Sequence, residues 1–225
     1  MGGMFRLFSK HAPAETGNAD FRIPGRLRAP EGFAALTLRP MTLDDLDEWS
    51  EVRRFNDDWL KPWDSGDPMN GPTITFNEWV NRQRRAEQSG RGAVMLMIAD
   101  GRIVGQISLG AICYGAMRTG TIGYWVDRRC VGHGYAPIAL ALLADWALLD
   151  ETGPMLHSIE VAILPENARS RRVVEKLGLV YEGVRRSYMY VNGQWRDHDI
   201  YTLVSSDVHG RVIDRLRAGV PTPAP

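Results

Sequence analysis

Cysteine is scarce in this chain: two occur among 225 residues, Cys113 and Cys130. Two thiols cannot make a disulfide scaffold, and they suit a reducing compartment. An excess of charge of either sign is also missing. Basic and acidic residues number 27 each, so the formal net charge is zero. No global pull toward nucleic acid or anionic lipid follows from that balance, although Arg169, Arg171 and Arg172 form a local basic patch. The five histidines and two cysteines show no ligand spacing, so no metal is expected. No apolar run is long enough to span a bilayer, and the first thirty residues lack the core of a secretory signal. Arg6 stands where a myristoylation motif needs Ser or Thr. The expectation is a soluble, cytoplasmic protein with neither a membrane nor a direct nucleic-acid partner.

The length suits one ordinary domain with a sizeable core. Residues 1–33 lack apolar periodicity and carry Pro13, Pro24 and Pro30, which suggests a loose leader before a domain at 34–205. Residues 206–225 read as a short helix over Asp207–Arg217 followed by a frayed tail. Between these ends, strands are expected at Ala34–Arg39, Ala93–Ala99, Ile103–Leu109, Gly120–Val126, His157–Leu164, Leu179–Val191 and Gln194–Val204. Asp100-Gly101 and Asn192-Gly193 are type I′ hairpin signals. Thr42 caps a helix through Trp49 and Val52, and further helices are expected over Phe76–Gln88, Tyr135–Leu149 and Asn167–Leu177. The helix at 135–149 is apolar nearly all round, with Asp145 its lone charge, so it should be packed on two sides. Strand–helix alternation with hairpins outside it implies an α/β (α+β) fold with a mixed, largely antiparallel sheet and helices on both faces.

Ile122–Leu143 runs from strand, through a glycine turn, into that apolar helix. In the turn, Arg129-x-x-Gly132-x-Gly134 leaves backbone N–H groups unshielded where a helix begins, a place for a phosphate or pyrophosphate. The spacing is neither the dinucleotide fingerprint nor the P-loop. It resembles the acetyl-CoA signature of the GNAT acetyltransferase superfamily. Pro165-Glu166-Asn167-Ala168-Arg169-Ser170, Glu175 to Leu179 and Glu182-Gly183 are similar to the N-x-x-S…LGF-x-x-EG run of ribosomal-protein N-acetyltransferases. Tyr188 to His198 resembles the Y-x-x-x-(N/D)-G-x-W-x-D-H ending of the ribosomal-protein-alanine (RimJ/RimL-like) group, and Leu60-Lys61-Pro62-Trp63 its L-x-P-W loop.

The resemblance spans roughly Ala34 to Val204 and implies a GNAT fold splayed at the fourth and fifth expected strands. It also implies acetyl-CoA as cosubstrate. The residues it offers to the cofactor are Trp125, Val126, Arg129, Val131, Gly132, His133, Gly134, Tyr135, Asn167 and Ser170. Gly123 is expected to mark a bulge that opens the slot. Asn167 also has a bland role as a helix N-cap, Arg129 and His133 as exposed turn residues, and Ser170 as a solvated helix serine.

Attack of an amine on a thioester needs a neutral amine, donors for the oxyanion and a proton for the departing sulfur. Ser170 is the candidate donor to sulfur, because Val174 stands where many GNAT enzymes carry a tyrosine; Tyr188 and Tyr190 are nearby alternatives. Glu160 is the candidate base, with salt bridging as its bland alternative. His198 reads as a structural hydrogen-bond donor. Asp58, Trp59, Trp63 and Tyr188 are candidates for holding the acceptor, against a solvated loop with buried aromatic anchors. An α-amine titrates at about 7.7–8.0 and a lysine at about 10.4, so an enzyme for N-termini needs a weaker base. The expected function is transfer of acetyl to a protein N-terminus, such as the alanine of a ribosomal protein, by a monomer or homodimer. A small-molecule amine acceptor and a non-catalytic acyl-CoA sensor stay open at this point.

Overall fold

A computed structural model describes residues 22–69 and 74–218; the rest of the expected leader (1–21) and tail (219–225) lies outside the described residues. Eight strands form one sheet: β1 (Leu27–Arg28), β2 (Thr37–Pro40), β3 (Ala93–Ala99), β4 (Arg102–Cys113), β5 (Thr119–Val126), β6 (Ser158–Ile163), β7 (Val180–Val191) and β8 (Gln194–Val204). Their order is β1-β2-β3-β4-β5-β6-β8-β7. The expected leader therefore contributes a strand, since Leu27 and Arg28 pair with Leu38 and Thr37. Asp100 and Gly101 have φ of 49° and 74°, and Asn192 and Gly193 have 48° and 82°, as a type I′ turn requires.

The helices begin where side chains satisfy their first N–H groups. Thr75 and Glu78 cap each other at the start of α3 (Phe76–Gln88): Thr75 N donates to Glu78 Oε2 at 2.7 Å, and Glu78 N donates to Thr75 Oγ1 at 3.2 Å. α1 (Leu46–Phe55) follows a 3₁₀ turn at Leu43–Asp45, and α2 (Asp57–Leu60) is one turn in the segment expected to be irregular. Trp49, Phe76 and Trp79 of α1 and α3 pack with Met41, Val52, Val80, Leu96 and Ile103 over one face of the sheet.

The opposite face carries α4 (Tyr135–Leu149) and α5 (Ala168–Lys176). Eleven of the fifteen residues of α4 are buried, so it is packed on two sides. The sheet lies on one side. On the other are Val212 and Ile213, with Val212 N donating to Asp145 Oδ1 at 2.6 Å. Those two residues interrupt the helix expected over Asp207–Arg217. It is broken into 3₁₀ turns and α6 (Arg215–Ala218), with Gly210 between them at φ 87°.

All pairings are antiparallel except β5 with β6. That parallel pairing stops after Thr119↔Ser158, Gly120↔Ile159 and Thr121↔Glu160, although β5 continues to Val126 and β6 to Ile163. The two strands fork, as the sequence led us to expect. The cause is not a bulge at Gly123, which sits in regular register opposite Ser108; the irregularity on this ribbon lies between Gly110 and Cys113, where Ala111 has φ 49°.

Candidate active site

A fork in a sheet leaves two strand edges facing each other without partners, and such edges recruit an extended ligand. Here the fork opens into a cavity of about 730 Å³. Alternation along the strands divides its walls. Ile122, Tyr124 and Val126 of β5 face α4, while Gly123 and Trp125 face the opposite side with Gln106 and Ser108 of β4.

On the α4 side the cavity ends at the glycine turn. Gly132 and Gly134 have φ of 92° and 79°, which side-chain-bearing residues rarely adopt. A Cβ at Gly132 would project into space with nothing within 4 Å. The N–H groups of Val131, Gly132, His133 and Gly134 have no partner among the described residues, and the first turn of α4 adds its own unsatisfied donors. Asp127 braces the turn from beneath. Its carboxylate is buried, yet its pKa is lowered: burial raises it, and bonds from the Arg129 side chain and backbone and from Asn56 outweigh that. A convergent set of backbone donors at a helix N-terminus, with open space before it, fits a pyrophosphate.

Halfway along the slot, Tyr124 Oη lies 2.8 Å from Ser170 Oγ and 3.3 Å from the Ser170 carbonyl. The hydroxyl is enclosed between β5 and α5, and that burial pushes the Tyr124 pKa far above its usual value despite the bond from Ser170. It is protonated across the physiological range and can donate. Asn167 Oδ1 accepts the Ser170 N–H at 3.1 Å, so Asn167 caps α5 and fixes the backbone of Ser170.

On the far side of the fork the walls are aromatic. Trp59 and Trp63 come from the α2 segment, which is seated on β7 by the Ser65↔Val191 bridge and by Gly66 N donating to the Tyr190 carbonyl at 2.9 Å. Tyr188 and His198 come from the β7–β8 hairpin and meet edge-on, with centroids 5.8 Å apart.

This geometry coincides with a match of residues 35–180 to the acetyltransferase (GNAT) domain family. The chain belongs to the GNAT acetyltransferase family. It is 30% identical over 175 residues to the Probable N-acetyltransferase YjcK of Bacillus subtilis, a span covering 76% of this chain and 94% of that one. It is 29% identical over 105 residues to the ribosomal protein uS5-alanine N-acetyltransferase of Escherichia coli, 47% of this chain and 53% of the relative. The structure of RimJ of Mycobacterium smegmatis in complex with CoA-disulfide is similar at a TM-score of 0.76 and 31% identity, over 86% of this chain and 92% of that one. The protein is an acetyl-CoA-dependent N-acetyltransferase of the GNAT type.

Within this acetyltransferase, Trp125, Val126, Val131, Gly132, Gly134, Tyr135, Asn167, Ser170, Trp59, Trp63 and Tyr188 all line the one cavity. Four expected residues do not. The Arg129 guanidinium turns back from the glycine turn onto Asp127, with Nε 2.9 Å from Oδ2, and stacks 4.1 Å from the Phe55 ring. His133 is exposed, its Nδ1 3.1 Å from the Cys130 carbonyl. Asp58 opens instead onto a separate shallow cleft with Arg53, Arg54 and Arg128, because neighbours along a helix do not share a face with Trp59. Glu160 is drawn into a two-pronged pair with Arg185, at 3.1 and 3.3 Å, and stays outside the cavity wall. Its bland reading is the one the geometry favours. Val174 is fully buried in the core, so a side chain at that position packs under α5 and does not face the slot.

Two further residues with titratable side chains, Tyr124 and His198, line the cavity without being among the site residues expected from the sequence. Tyr124 hides in a strand as an ordinary packing tyrosine, and only the bond to Ser170 reveals it. His198 stands in the D-H of the final hairpin and was legible as a motif member, but not as a cavity wall.

Proposed function

We propose that this acetyltransferase modifies the α-amino group of a polypeptide N-terminus, such as the alanine of a ribosomal protein. Passage of the cavity through the sheet at the fork carries the reading, since it gives two substrates opposite entrances to one point. The Val131–Ala136 donors hold the pyrophosphate, and the free edge of β5 around Trp125–Val126 pairs with the pantetheine arm. Acetyl-CoA supplies the activated acetyl thioester. Ser170, polarised by Tyr124, donates the proton that the departing sulfur needs. The acceptor chain enters from the aromatic side and lies against Trp59, Trp63 and Tyr188.

The acceptor class is supported by the ribosomal-protein-alanine activity of a relative and by the charges on that side. Asp64, the wall carboxylate nearest the tryptophans in sequence, is already paired with Arg53 at 2.7 Å. A site without a free carboxylate suits an amine that is partly neutral near pH 7 better than a lysine does. The test compares an alanine-starting peptide with the same peptide blocked at its N-terminus but retaining its lysines. The unblocked peptide is expected to be acetylated at least tenfold faster; equal rates, or a polyamine outpacing both, would reject the α-amine assignment.

A further inference from the structure

We infer that His198 is the group that takes the proton from the acceptor amine. The inference rests on the acetyl transfer proposed above and on the geometry of the β7–β8 hairpin.

The position follows from register. Ile163, the last residue of β6, pairs with Asp199, so His198 lies one residue past that end, level with the open mouth of the fork. Alternation then puts His198 on the same face of the sheet as Ala162 and Glu160, the face away from α4. The Tyr124–Ser170 pair lies on the other face. A proton acceptor and a proton donor therefore flank the fork from opposite sides, as an amine and a leaving sulfur on opposite sides of one carbonyl carbon require.

The ring is also held in a usable form. His198 is 3% exposed and forms part of the cavity wall. Its Nδ1 is 3.0 Å from the Arg196 carbonyl, which can only accept, so Nδ1 carries the hydrogen in the neutral ring. Nε2 then holds the lone pair, and it has no protein partner among the described residues. Tyr188 fixes the ring plane edge-on. Charged groups surround it from each neighbouring element. Arg185 is opposite on β7 and is neutralised by Glu160; Arg196 and Asp197 precede it on β8; Glu166, before α5, pairs with Arg196 at 2.6 Å. Burial dominates this set and lowers the imidazole pKa below its usual value, so the ring is neutral near pH 7. A neutral imidazole beside an amine of pKa about 8 is a suitable base for it.

The proton count balances with the donor side. An ammonium acceptor loses one proton to His198 Nε2, which passes it to solvent. The amine nitrogen forms the C–N bond and the C–S bond breaks with its electron pair on sulfur. The second proton passes from nitrogen to the emptied His198 Nε2 and on to solvent, the Ser170–Tyr124 hydroxyls deliver one to sulfur, and solvent restores the proton to that pair, so one proton is released in all.

His198→Asn tests this, because its amide can still donate to the Arg196 carbonyl while lacking Nε2. With thermal unfolding unchanged, kcat/KM for the unblocked peptide is expected to fall by about 10²-fold or more, within the usual range for a lost base. The acid limb of the wild-type pH profile, with its inflection below the ordinary histidine value of about 6.5, is expected to vanish. Nitrogen NMR of the wild-type protein without substrate gives a readout independent of turnover: Nδ1–H with a bare, titrating Nε2 at the same inflection. An Nε2–H tautomer, or a folded variant with unchanged rate and pH profile, would overturn the role. If the variant unfolds, the tautomer and the match between the two inflections decide alone. Failure of wild-type protein to acetylate any amine would instead reject the proposed function, with the tautomer still readable.

Discussion

Tyr124 and Ser170 share one hydrogen bond of 2.8 Å, so each sets the donor strength of the other. If Ser170 gives its proton to the departing sulfur, as proposed, their effect belongs to the step in which charge develops on sulfur, and so to kcat rather than to binding. Ser170→Ala is expected to lower kcat by about 10- to 100-fold, or about 1.4–2.8 kcal/mol, with the KM for acetyl-CoA little changed. Tyr124→Phe should fall in the same range, and the double variant should cost little more than the worse single one, because the pair acts as a unit. Steady-state kinetics on the three variants checks this. Additive losses would mean two independent roles, and a wild-type kcat in Ser170→Ala would return that residue to a solvated helix position. Burial keeps the Tyr124 hydroxyl protonated well beyond neutral pH, so it contributes no basic limb to the profile.

At the scale of elements, the glycine turn depends on backbone shape before it depends on space. Gly132 at φ 92° has open volume where a side chain would go, so Gly132→Ala is strained by about 1–2 kcal/mol but does not clash with the protein. Calorimetry should find acetyl-CoA affinity reduced at least tenfold while the variant stays folded; unchanged affinity would remove the turn from the pyrophosphate site. The strength of such local signals explains what was readable in the sequence. Gly134 and Pro137 start α4, the apolar run continues to Leu149, and α4 begins and ends where those residues indicate. α3 likewise spans the expected Phe76–Gln88, with the Thr75–Glu78 capping box at its start seen in the structure. β1 was illegible because two residues carry no period, and α2 because a single turn carries none either. Tyr124, His198 and Glu160 show a further limit. Period two assigns each to a face, but the sheet order β6-β8-β7 brings Arg185 to Glu160, the irregular register between Arg185 and Met189 brings Tyr188 to His198, and the packing of α5 brings Ser170 to Tyr124.

For the molecule as a whole, the fork at β5 and β6 organises everything else: α4 and α5 serve one entrance, while α2 and the β7–β8 hairpin wall the other. The match over residues 35–180 includes the first side but stops before most of the hairpin, which begins at Val180. The matched span holds the cofactor turn and the α2 segment, so the hairpin is the part of the proposed acceptor wall that lies mostly beyond it. No helix among the described residues is long and apolar enough to cross a membrane. The most direct measurement of acceptor choice is mass spectrometry of protein N-termini from cells with and without this protein. At least one N-terminus beginning with a small residue such as alanine is expected to lose its acetyl group when the protein is absent. N-termini acetylated equally in both cells, alongside a lost acetylated small-molecule amine, would contradict it.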